Sequence, residues 1–301
     1  MKRTILVDFN NLAFRCFFIK EVAMTTTSPD YKLWRFMVFD SIYKFSNIEK
    51  NINEVIIAVD DTNSWRKSYF SRYKESRKNK RKKVDIDWAE LYHNLSSLGA
   101  DLRHHMPFKV LKIKSAEADD IIAVLAQELY GDNIVISNDE DYLQLCSAHV
   151  KIWHPKKKVY VKVDDPEEFV TMKCMTGQAK DDIFNVKTPD DWGKTEETEG
   201  KRKPGFGPKA YEKAVDYGLE EWLMTQTDAY GNHDLEKHFH RNQVLMDFNY
   251  IPNTIRKRIM QAYKIYNYPP PENIYKFFKK HGMRGYLEEF SMTESKLLKM
   301  Y

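Results

Sequence analysis

Short apolar runs that each end at acidic residues constrain the fold of this chain more than any other feature. The runs are ILVDFNN, VIIAVDD and IVISNDEDYLQL, and a related cluster, SAEADD, precedes the apolar stretch IIAVL. Such runs are typical of buried parallel strands, whose carboxyl ends meet at one edge of an α/β sheet, where ligands bind. The acids that this pattern predicts at the edge are Asp8, Asp60, Glu117, Asp119, Asp120, Asp139 and Asp141.

Carboxylates crowded at one sheet edge repel one another unless a cation lies between them. Mg²⁺ and Mn²⁺ take oxygen ligands and neutralise such a cluster, so the pattern predicts a divalent metal site. Single acids also have structural explanations. Glu117 and Asp120 lie in the first turn of a predicted helix, where acids complement the helix dipole and Ser115 is a suitable N-cap. We expect Asp139 and Asp141 to project to one side of a strand end, although turn residues are common at such a position.

The chain alternates strand and helix patterns up to about residue 165 and is helical beyond it. This alternation predicts an α/β fold with a mostly parallel sheet flanked by helices, followed by a helical carboxyl-terminal region. We expect an α/β domain over 1–187, a mobile polar loop over 188–204 and a helical region over 205–301. The predicted strands are 4–8, 54–59, 108–112, 133–137 and 150–153, and the predicted helices lie near 10–20, 31–50, 86–99, 117–130, 140–147, 166–176, 208–217, 234–247, 254–266, 271–281 and 293–300.

Length and composition allow a sizeable core and point away from several protein classes. The chain has 301 residues, 42% of them hydrophobic, and lacks a run of eighteen apolar residues, so we expect a soluble, cytoplasmic protein with no membrane partner. Its three cysteines are far apart and odd in number, which argues against a disulfide framework and a zinc ribbon. His233, His238 and His240 lie in HDLEKHFH, but without a cysteine or acid partner they do not predict zinc.

A strongly basic segment covers residues 65–83, with ten Lys or Arg residues against one Glu, although the net charge of the chain is only +4. Such a patch is typical of polyanion binding. Aromatic residues recur every four positions in it, as on one face of a helix, so bases could stack there while cations hold phosphates. The alternative is a solvated helix with core-facing aromatics. The aromatic positions are Trp65, Tyr69 and Tyr73, and cations on another face are Arg66, Lys74 and Arg77.

The string PGFGPKAYEKAV at 204–215 is a second phosphate-binding pattern. Gly205 and Gly207 permit a tight turn and close backbone approach, and Pro208 suits the first position of a helix. The free amides of such a helix start can bind an anion and hold duplex backbone without reading bases. A plain Gly-Pro helix start is the structural alternative.

The order of these motifs resembles the flap-endonuclease or 5′-nuclease superfamily, and within it the ribonuclease H proteins of T-even bacteriophages. The resemblance rests on VDFNNLAFR, an acid after the second strand, RYKESRK, SAEADD, SNDEDYLQL, an acid near 182 and GFGPKA, in this order. MPFKVLKIKSAEADDIIAVL and FNYIPNTI strengthen the phage match, and the resemblance covers nearly the whole chain. It implies a PIN-like sheet and a helix-three-turn-helix element.

The resemblance implies a metal role for nine residues. Asn185 stands where many relatives have a second acid, three positions after the first, so it would bring an amide oxygen but no charge to the second metal position. The implied ligands are Asp8, Asp60, Glu117, Asp119, Asp139 and Asp141, with Asp120 adjoining them and Asp182 and Asn185 in the next motif.

The resemblance also implies nucleic-acid contacts. Lys74 and Arg77 match the basic residues of a helical arch, about 62–84, that contact the scissile phosphate, and together with Asp139 they are the expected catalytic residues. Gly205, Gly207 and Lys209 fall in the helix-three-turn-helix, which often binds K⁺. The other expected nucleic-acid contacts are Arg15, Arg66, Lys67, Arg72 and Tyr73.

The implied activity is that of an Mg²⁺-dependent 5′ to 3′ exonuclease and flap endonuclease. It would use two Mg²⁺ ions, with Mn²⁺ as a substitute, on RNA–DNA hybrids and duplex DNA with a 5′ flap or frayed 5′ end. Its role would be to remove RNA primers from lagging-strand fragments in phage DNA replication. The resemblance suggests a monomer, with single-stranded DNA-binding protein and a sliding clamp as partners.

Two alternatives remain open from the sequence. A PIN-like endoribonuclease shares the carboxylate-edged sheet, but the long basic arch and GFGPKA are not expected in it. A catalytically inert branched-DNA binding module is supported only by Asn185. Cleavage of single-stranded RNA without a 5′ end would favour the first, and metal-independent binding without turnover would favour the second.

Overall fold

The computed structural model describes residues 2–19 and 29–300, so the last residue of the helix predicted near 10–20 lies outside the described part. Described residues form two compact units. The sheet unit takes its residues from 1–64, 84–162 and 252–301, and the helical unit consists of 65–83 and 163–251. This division differs from the expected one, because the basic segment falls in the helical unit and residues from 252 onward fall in the sheet unit.

A six-stranded sheet lies at the centre of the sheet unit, with strand order β3-β2-β1-β4-β5-β6 among the described residues. The first five strands are parallel, and β6 pairs antiparallel with β5. This confirms the predicted mostly parallel α/β fold. The strands are β1 (Arg3–Asp8), β2 (Glu54–Val59), β3 (Lys109–Lys112), β4 (Asp132–Ile136), β5 (Val150–His154) and β6 (Val159–Val161).

Helices flank the sheet and make up most of the helical unit. They are α1 (Phe9–Phe17), α2 (Tyr31–Phe45), α3 (Trp65–Tyr69), α4 (Ser76–Lys82), α5 (Trp88–His105), α6 (Ala118–Glu128), α7 (Pro166–Thr176), α8 (Pro208–Tyr217), α9 (Leu219–Thr225), α10 (Leu235–Met246), α11 (Asn253–Lys264), α12 (Asn273–His281), α13 (Arg284–Glu288) and α14 (Phe290–Leu297). Short 3₁₀ helices cover Glu140–Leu145, Ala179–Asp181, Phe248–Tyr250 and Leu298–Met300. None of the helices in the described part of the chain is long and apolar enough to cross a membrane.

Two predicted elements differ from the structure, and one strand was not predicted. The basic segment is not one helix: α3 ends at Tyr69 and α4 begins at Ser76, because a turn intervenes. The helix predicted near 140–147 is a 3₁₀ helix. β6 was missed because its residues are exposed and lack the burial alternation that marks a half-buried strand. Residues 188–204, expected to be a mobile loop, form turns rather than helices or strands.

A buried ion network explains why the carboxyl-terminal segment belongs to the sheet unit. The carboxylate of Glu54, at the start of β2, accepts hydrogen bonds from the hydroxyls of Tyr263 and Tyr268 at 3.0 and 3.2 Å. Its oxygens also lie 2.8 Å from the ammonium groups of Lys2 and Lys109. A buried carboxylate is tolerable only with such partners, so Glu54 fixes α11 and the residues after it against the sheet.

Candidate active site

Three parallel strands end side by side and bring acids to one edge of the sheet unit. β1 pairs with both β2 and β4, with Asp8 opposite Ala58 and Val7 opposite Ile136. Asp8 is the last residue of β1, Asp60 follows β2 directly, and Asp139 lies shortly after the end of β4. The parallel register therefore places these carboxylates at one carboxyl edge, as the sequence predicts.

The start of α6 adds further acids to this edge. The backbone amide of Ala118 donates to Oδ1 of Asp60 at 2.7 Å, which joins the first turn of α6 to the end of β2. Glu117 is the N-cap of this helix and Asp119 lies in its first turn. The N-cap is therefore not Ser115, whose amide instead donates to Oδ2 of Asp61 at 2.8 Å.

Asp120 has a capping role that differs from the predicted metal role. Its side chain is fully buried, and Oδ2 accepts a hydrogen bond from the backbone amide of Glu117 at 2.8 Å. This is the reciprocal half of a capping box, which satisfies an otherwise orphaned amide at the helix start. The structural alternative raised for the SAEADD cluster thus applies to Asp120, which we leave out of the proposed ligand set.

Asp139 and Asp141 do not lie on a strand end, because β4 stops at Ile136. Asp139 caps the 3₁₀ helix Glu140–Leu145, and its Oδ1 accepts the amide of Asp141 at 3.1 Å. The capping turn, not strand alternation, therefore orients this pair.

Tyr142 links the acids at the centre of the edge. Its side chain is fully buried, and its hydroxyl donates to Oδ1 of Asp119 at 2.6 Å and lies 3.4 Å from Oδ2 of Asp8. One hydroxyl therefore connects the first strand, α6 and the 3₁₀ helix that carries Asp139 and Asp141. We refer to Asp8, Asp60, Glu117, Asp119, Asp139 and Asp141 as the carboxylate edge.

The electrostatics of the carboxylate edge are those of acids held too close together. Burial, followed by the charges of Asp60 and Asp139, raises the pKa of Asp8 to about 7, although hydrogen bonds from Asn11 and Tyr142 oppose the shift. Burial and the charges of Asp119 and Asp8 also raise the pKa of Tyr142. All donors are hard oxygens, so a divalent cation such as Mg²⁺ or Mn²⁺ fits this site and would relieve the repulsion.

Arg15 lies in the last turn of α1, in the same unit as the carboxylate edge. Its guanidinium is 5.9 Å from the ring centre of Phe45, and burial lowers the pKa of the side chain. Packing against the ring is thus part of the role of Arg15.

The basic segment in the helical unit contacts the turn that contains Asp181 and Asp182. The amide of Lys74 donates to the carbonyl of Asp181 at 2.8 Å, and the guanidinium of Arg77 forms an ion pair with the Asp181 carboxylate. Oδ2 of Asp182 accepts the amide of Ser76, the first residue of α4, at 2.7 Å. This turn therefore holds the residues between α3 and α4 in place.

Other predicted nucleic-acid contacts in this segment have structural roles. Arg66 is only 2% exposed, and its Nε donates to the carbonyl of Leu245 at 2.7 Å. Arg72 donates to the carbonyls of Asp190 and Trp192 at 2.9 and 2.7 Å. These two arginines stabilise the helical unit, and we do not propose them as phosphate contacts.

The aromatic positions of the segment do not share a surface. Tyr73 is buried in an apolar cluster with Phe70, whereas Tyr69 is half exposed. The predicted common face is wrong because α3 ends at Tyr69. Lys67 is exposed, as a phosphate contact requires.

Asn185 and Asp182 are engaged by local hydrogen bonds. Oδ1 of Asn185 accepts the amide of Lys187 at 2.9 Å and the hydroxyl of Thr188 at 3.1 Å, and its Nδ2 donates to the carbonyl of Pro204 at 2.8 Å. Both polar atoms of the amide are therefore used within the helical unit. The metal roles of Asn185 and Asp182 remain predictions, because a carboxylate or amide oxygen that accepts hydrogen bonds can still bind a cation.

The GFGPKA string forms the start of α8, with Gly207 as N-cap and Pro208 in the first turn. Neither Gly205 nor Gly207 has a positive φ, so the expected tight turn does not use glycine's conformational freedom. A Cβ at either position would meet nothing within 4 Å, and both glycines and Lys209 are exposed. The backbone at this helix start is therefore open to a close-approaching ligand.

Comparisons with known proteins agree with this arrangement. A family model described as the N-terminal resolvase-like domain of 5′-3′ exonucleases matches residues 3–173, and one described as the C terminus of T4 RNase H matches 165–294. The chain is 30% identical over 293 residues to the protein named Ribonuclease H of Enterobacteria phage T4, covering 92% of each chain. The chain belongs to the 5′-3′ exonuclease family. As a member of that family, it is a metal-dependent nuclease.

One further relative and one solved structure are similar to this nuclease. It is 24% identical over 226 residues to the protein named Flap endonuclease Xni of Shewanella halifaxensis, covering 70% of this chain and 75% of that protein. A solved structure, described as divalent metal ions (zinc) bound to T5 5′-exonuclease, matches 88% of this chain and all of that chain, with a TM-score of 0.60 and 19% identity. The structural match confirms the fold.

Sequence reasoning missed two residues of this nuclease that the structure brings forward. The only feature of the sequence that could have indicated a role for Tyr142 is its position directly after the acids of NDEDY. Asp181 was passed over in favour of its neighbour Asp182, although Asp181 is the more buried of the two and the one that pairs with Arg77.

Proposed function

We propose that this chain is an Mg²⁺-dependent 5′ to 3′ exonuclease and flap endonuclease that removes RNA primers from lagging-strand fragments in phage DNA replication. The observation that carries the proposal is the convergence of Asp8, Asp60, Asp119 and Asp139, in which neighbouring charges help to raise the pKa of Asp8. The names of its T4 and Xni relatives, a ribonuclease H and a flap endonuclease, support the substrate class.

The six residues of the carboxylate edge would hold two divalent ions. When bound, such ions lower the pKa of the attacking water and offset charge on the leaving oxygen during in-line displacement. The carboxylates supply ligand oxygens, so the chemistry needs no Ser, Cys or His nucleophile. Tyr142 orients Asp119 through its hydroxyl, and the amide of Ala118 orients Asp60.

Lys74 and Arg77 are proposed to stabilise charge on the scissile phosphate, a type of contact that contributes about 3 kcal/mol in enzymes. The open helix start at Gly205 and Gly207, with Lys209 exposed beside it, supports a role in gripping the backbone of duplex DNA. We extend the proposal to K⁺ at this element and to substrates with a 5′ flap or a frayed 5′ end.

The decisive experiment is cleavage of labelled substrates in Mg²⁺ by the wild-type chain, by Asp139→Asn and by the matched control Asp85→Asn, whose carboxylate is exposed and outside the carboxylate edge. An RNA–DNA hybrid and a 5′-flap duplex carry a 5′ label, and a circular single-stranded RNA, which lacks a 5′ end, is labelled internally. The proposal predicts short 5′ products from the hybrid and the flap, lost in EDTA and in Asp139→Asn but not in Asp85→Asn. Cleavage by Asp139→Asn, or preference for the RNA lacking a 5′ end, would contradict it.

We also propose that the protein is monomeric and works in the cytoplasm of an infected cell, with single-stranded DNA-binding protein and a sliding clamp as partners. Exposed apolar side chains near the carboxyl terminus, including Ile265, Tyr275 and Met292, are consistent with such contacts. Sedimentation of the chain alone, and then with each partner, tests this. A dimer of the isolated chain would contradict the monomeric state. The absence of a complex with either protein would contradict its proposed role as a partner.

A further inference from the structure

A second cluster of metal-ligating side chains lies in the helical unit. Asp228, Asp234 and His238 each offer one ligand atom, and these atoms lie within 4.8 Å of one another. The sequence argued against zinc at HDLEKHFH because no acid partner was evident. The structure shows two acid partners for His238: Asp234, which belongs to the same string and lies one helical turn earlier, and Asp228, which comes from the preceding turn.

Asp228 has one satisfied oxygen and one that has no partner. Its Oδ1 accepts the amides of Tyr230 and Asn232 at 2.8 and 2.9 Å, which closes the turn. Its Oδ2 is buried without a hydrogen-bond partner among the described residues, and the residue as a whole is only 7% exposed. A buried carboxylate oxygen that makes no bond is costly, so its position calls for a cation.

His238 is prepared for the same cation. It is 2% exposed, and its Nδ1 lies 2.8 Å from the carbonyl oxygen of Val186, to which it must donate. This bond fixes the tautomer and leaves the lone pair on Nε2 for a ligand. A backbone carbonyl that orients the imidazole in this way is the usual companion of a metal-bound histidine.

The charge of Lys187 interacts with that of Asp228, but the two side chains do not form an ion pair. Lys187 donates to the carbonyl of Thr227 at 2.8 Å and lies 5.0 Å from the ring centre of Trp222. In the part of the chain that the structure describes, no lysine or arginine forms an ion pair with Asp228. Lys237 reaches only the half-buried Asp234, at 3.9 Å.

We propose that Asp228, Asp234 and His238 bind one Zn²⁺ ion. One imidazole and two carboxylates suit Zn²⁺, because imidazole favours borderline-soft ions whereas Mg²⁺ prefers sites made only of oxygen. The ion ties the turn at 228–232 to α10 and, through His238, to Val186. It is a structural site, separate from the acids proposed for cleavage.

The test uses the full chain, stripped with EDTA and then dialysed against Zn²⁺ in excess Mg²⁺, which competes for the all-oxygen carboxylate edge. Bound zinc per chain and the thermal unfolding temperature are measured for the wild type, Asp228→Asn, Asp234→Asn and the control Glu236→Gln. Asparagine at 228 can keep the two turn hydrogen bonds that Oδ1 of Asp228 accepts, and Asp234 accepts no side-chain cap hydrogen bond that its replacement would remove. Glu236 is exposed in the first turn of the same helix.

Wild type and Glu236→Gln are expected to bind one Zn²⁺ more than either asparagine variant and to unfold at a higher temperature with zinc than without it. Zinc affinity should fall by at least the ~10-fold that loss of even an outer partner costs at metal sites. Equal zinc content in the wild type and Asp234→Asn would overturn the proposal, even if Asp228→Asn failed to fold. An equal loss of zinc in Glu236→Gln would overturn it as well.

Discussion

The hydroxyl of Tyr142 donates a hydrogen bond to Oδ1 of Asp119 at 2.6 Å, in the interior of the carboxylate edge. The same hydroxyl lies 3.4 Å from Oδ2 of Asp8. A neutral phenol between two acids can orient both without adding charge. Tyr142 is not an expected metal ligand, but in the folded protein its hydroxyl directly contacts two of the expected ligands.

Replacement of Tyr142 by Phe should weaken metal binding while leaving the fold intact. The variant loses the bond that orients Asp119, and loss of such an outer partner lowers metal affinity by about 10- to 100-fold. The Mg²⁺ concentration that gives half-maximal cleavage should rise accordingly. Tyr130→Phe is the matched control, since Tyr130 is 84% exposed. An unchanged Mg²⁺ requirement in Tyr142→Phe would refute the positioning role.

Arg66 and Lys67 are adjacent but should respond oppositely to replacement by alanine. Arg66→Ala removes a buried donor to Leu245 and should lower the thermal unfolding temperature. Lys67→Ala should leave that temperature unchanged but weaken DNA binding and reduce the slope of log K against log salt by about 1. Fluorescence anisotropy across a salt series, together with thermal unfolding, tests both. The reverse pattern would show that Arg66 contacts DNA.

Gly207→Ala should reduce duplex binding without loss of stability. An added Cβ would meet no atom of the described residues within 4 Å beyond its chain neighbours. We expect it to occupy the space through which a phosphate approaches the first amides of α8. Gly285→Ala is the control, because its Cβ would also meet nothing within 4 Å. Binding of a blunt duplex by both variants is compared with the wild type, and equal affinity for all three would remove Gly207 from the interface.

Glu54→Gln should destabilise the sheet unit and alter its response to acid. Burial alone would raise the pKa of Glu54, but hydrogen bonds and charges of Lys109 and Lys2 outweigh it and lower this pKa. Because the pKa is lowered, the ionised carboxylate stabilises the folded state fully at pH values above its ordinary pKa of 4.5. This stabilisation is lost as the pH falls through the lowered pKa.

At neutral pH, Glu54→Gln should lower the free energy of unfolding by about 3 kcal/mol, since it leaves a buried lysine without its partner. The difference in unfolding free energy between wild type and Glu54→Gln should become smaller as the pH falls. Glu128→Gln, which removes an exposed ion pair with Arg256, should cost at most about 1 kcal/mol. Urea unfolding of the three proteins across the acidic range tests this, and parallel pH profiles for wild type and Glu54→Gln would contradict it.

The strand ends were predictable because an apolar run and the acid that follows it are local features of the sequence. Val7 and Asp8 illustrate this: the apolar run ends at Val7, and the acid that follows it is the last residue of β1. By contrast, the burial of Arg66 depends on a carbonyl 179 residues away. No local pattern distinguishes such an arginine from one that faces solvent.

Long-range contacts also decided the unit boundaries and the capping roles. Residues after 252 belong with the sheet because the hydroxyls of two tyrosines donate hydrogen bonds to Glu54. The hydrophobic periodicity of α11 does not predict these contacts. Asp120 and Asp119 are neighbours in SAEADD, yet one caps the helix and the other accepts the Tyr142 hydroxyl. The different roles follow from the position at which α6 begins, because this position sets the direction of each side chain in the first turn.

The most direct test of the central claim is anomalous diffraction from a crystal grown with Mn²⁺ under conditions in which the protein cleaves DNA. The account predicts Mn²⁺ among the oxygens of Asp8, Asp60, Glu117, Asp119, Asp139 and Asp141, at oxygen distances of about 2.2 Å, a value between those typical of Mg²⁺ and Ca²⁺. Absence of an ion at this edge, in crystals of active protein, would contradict the assignment of the carboxylate edge as the metal centre.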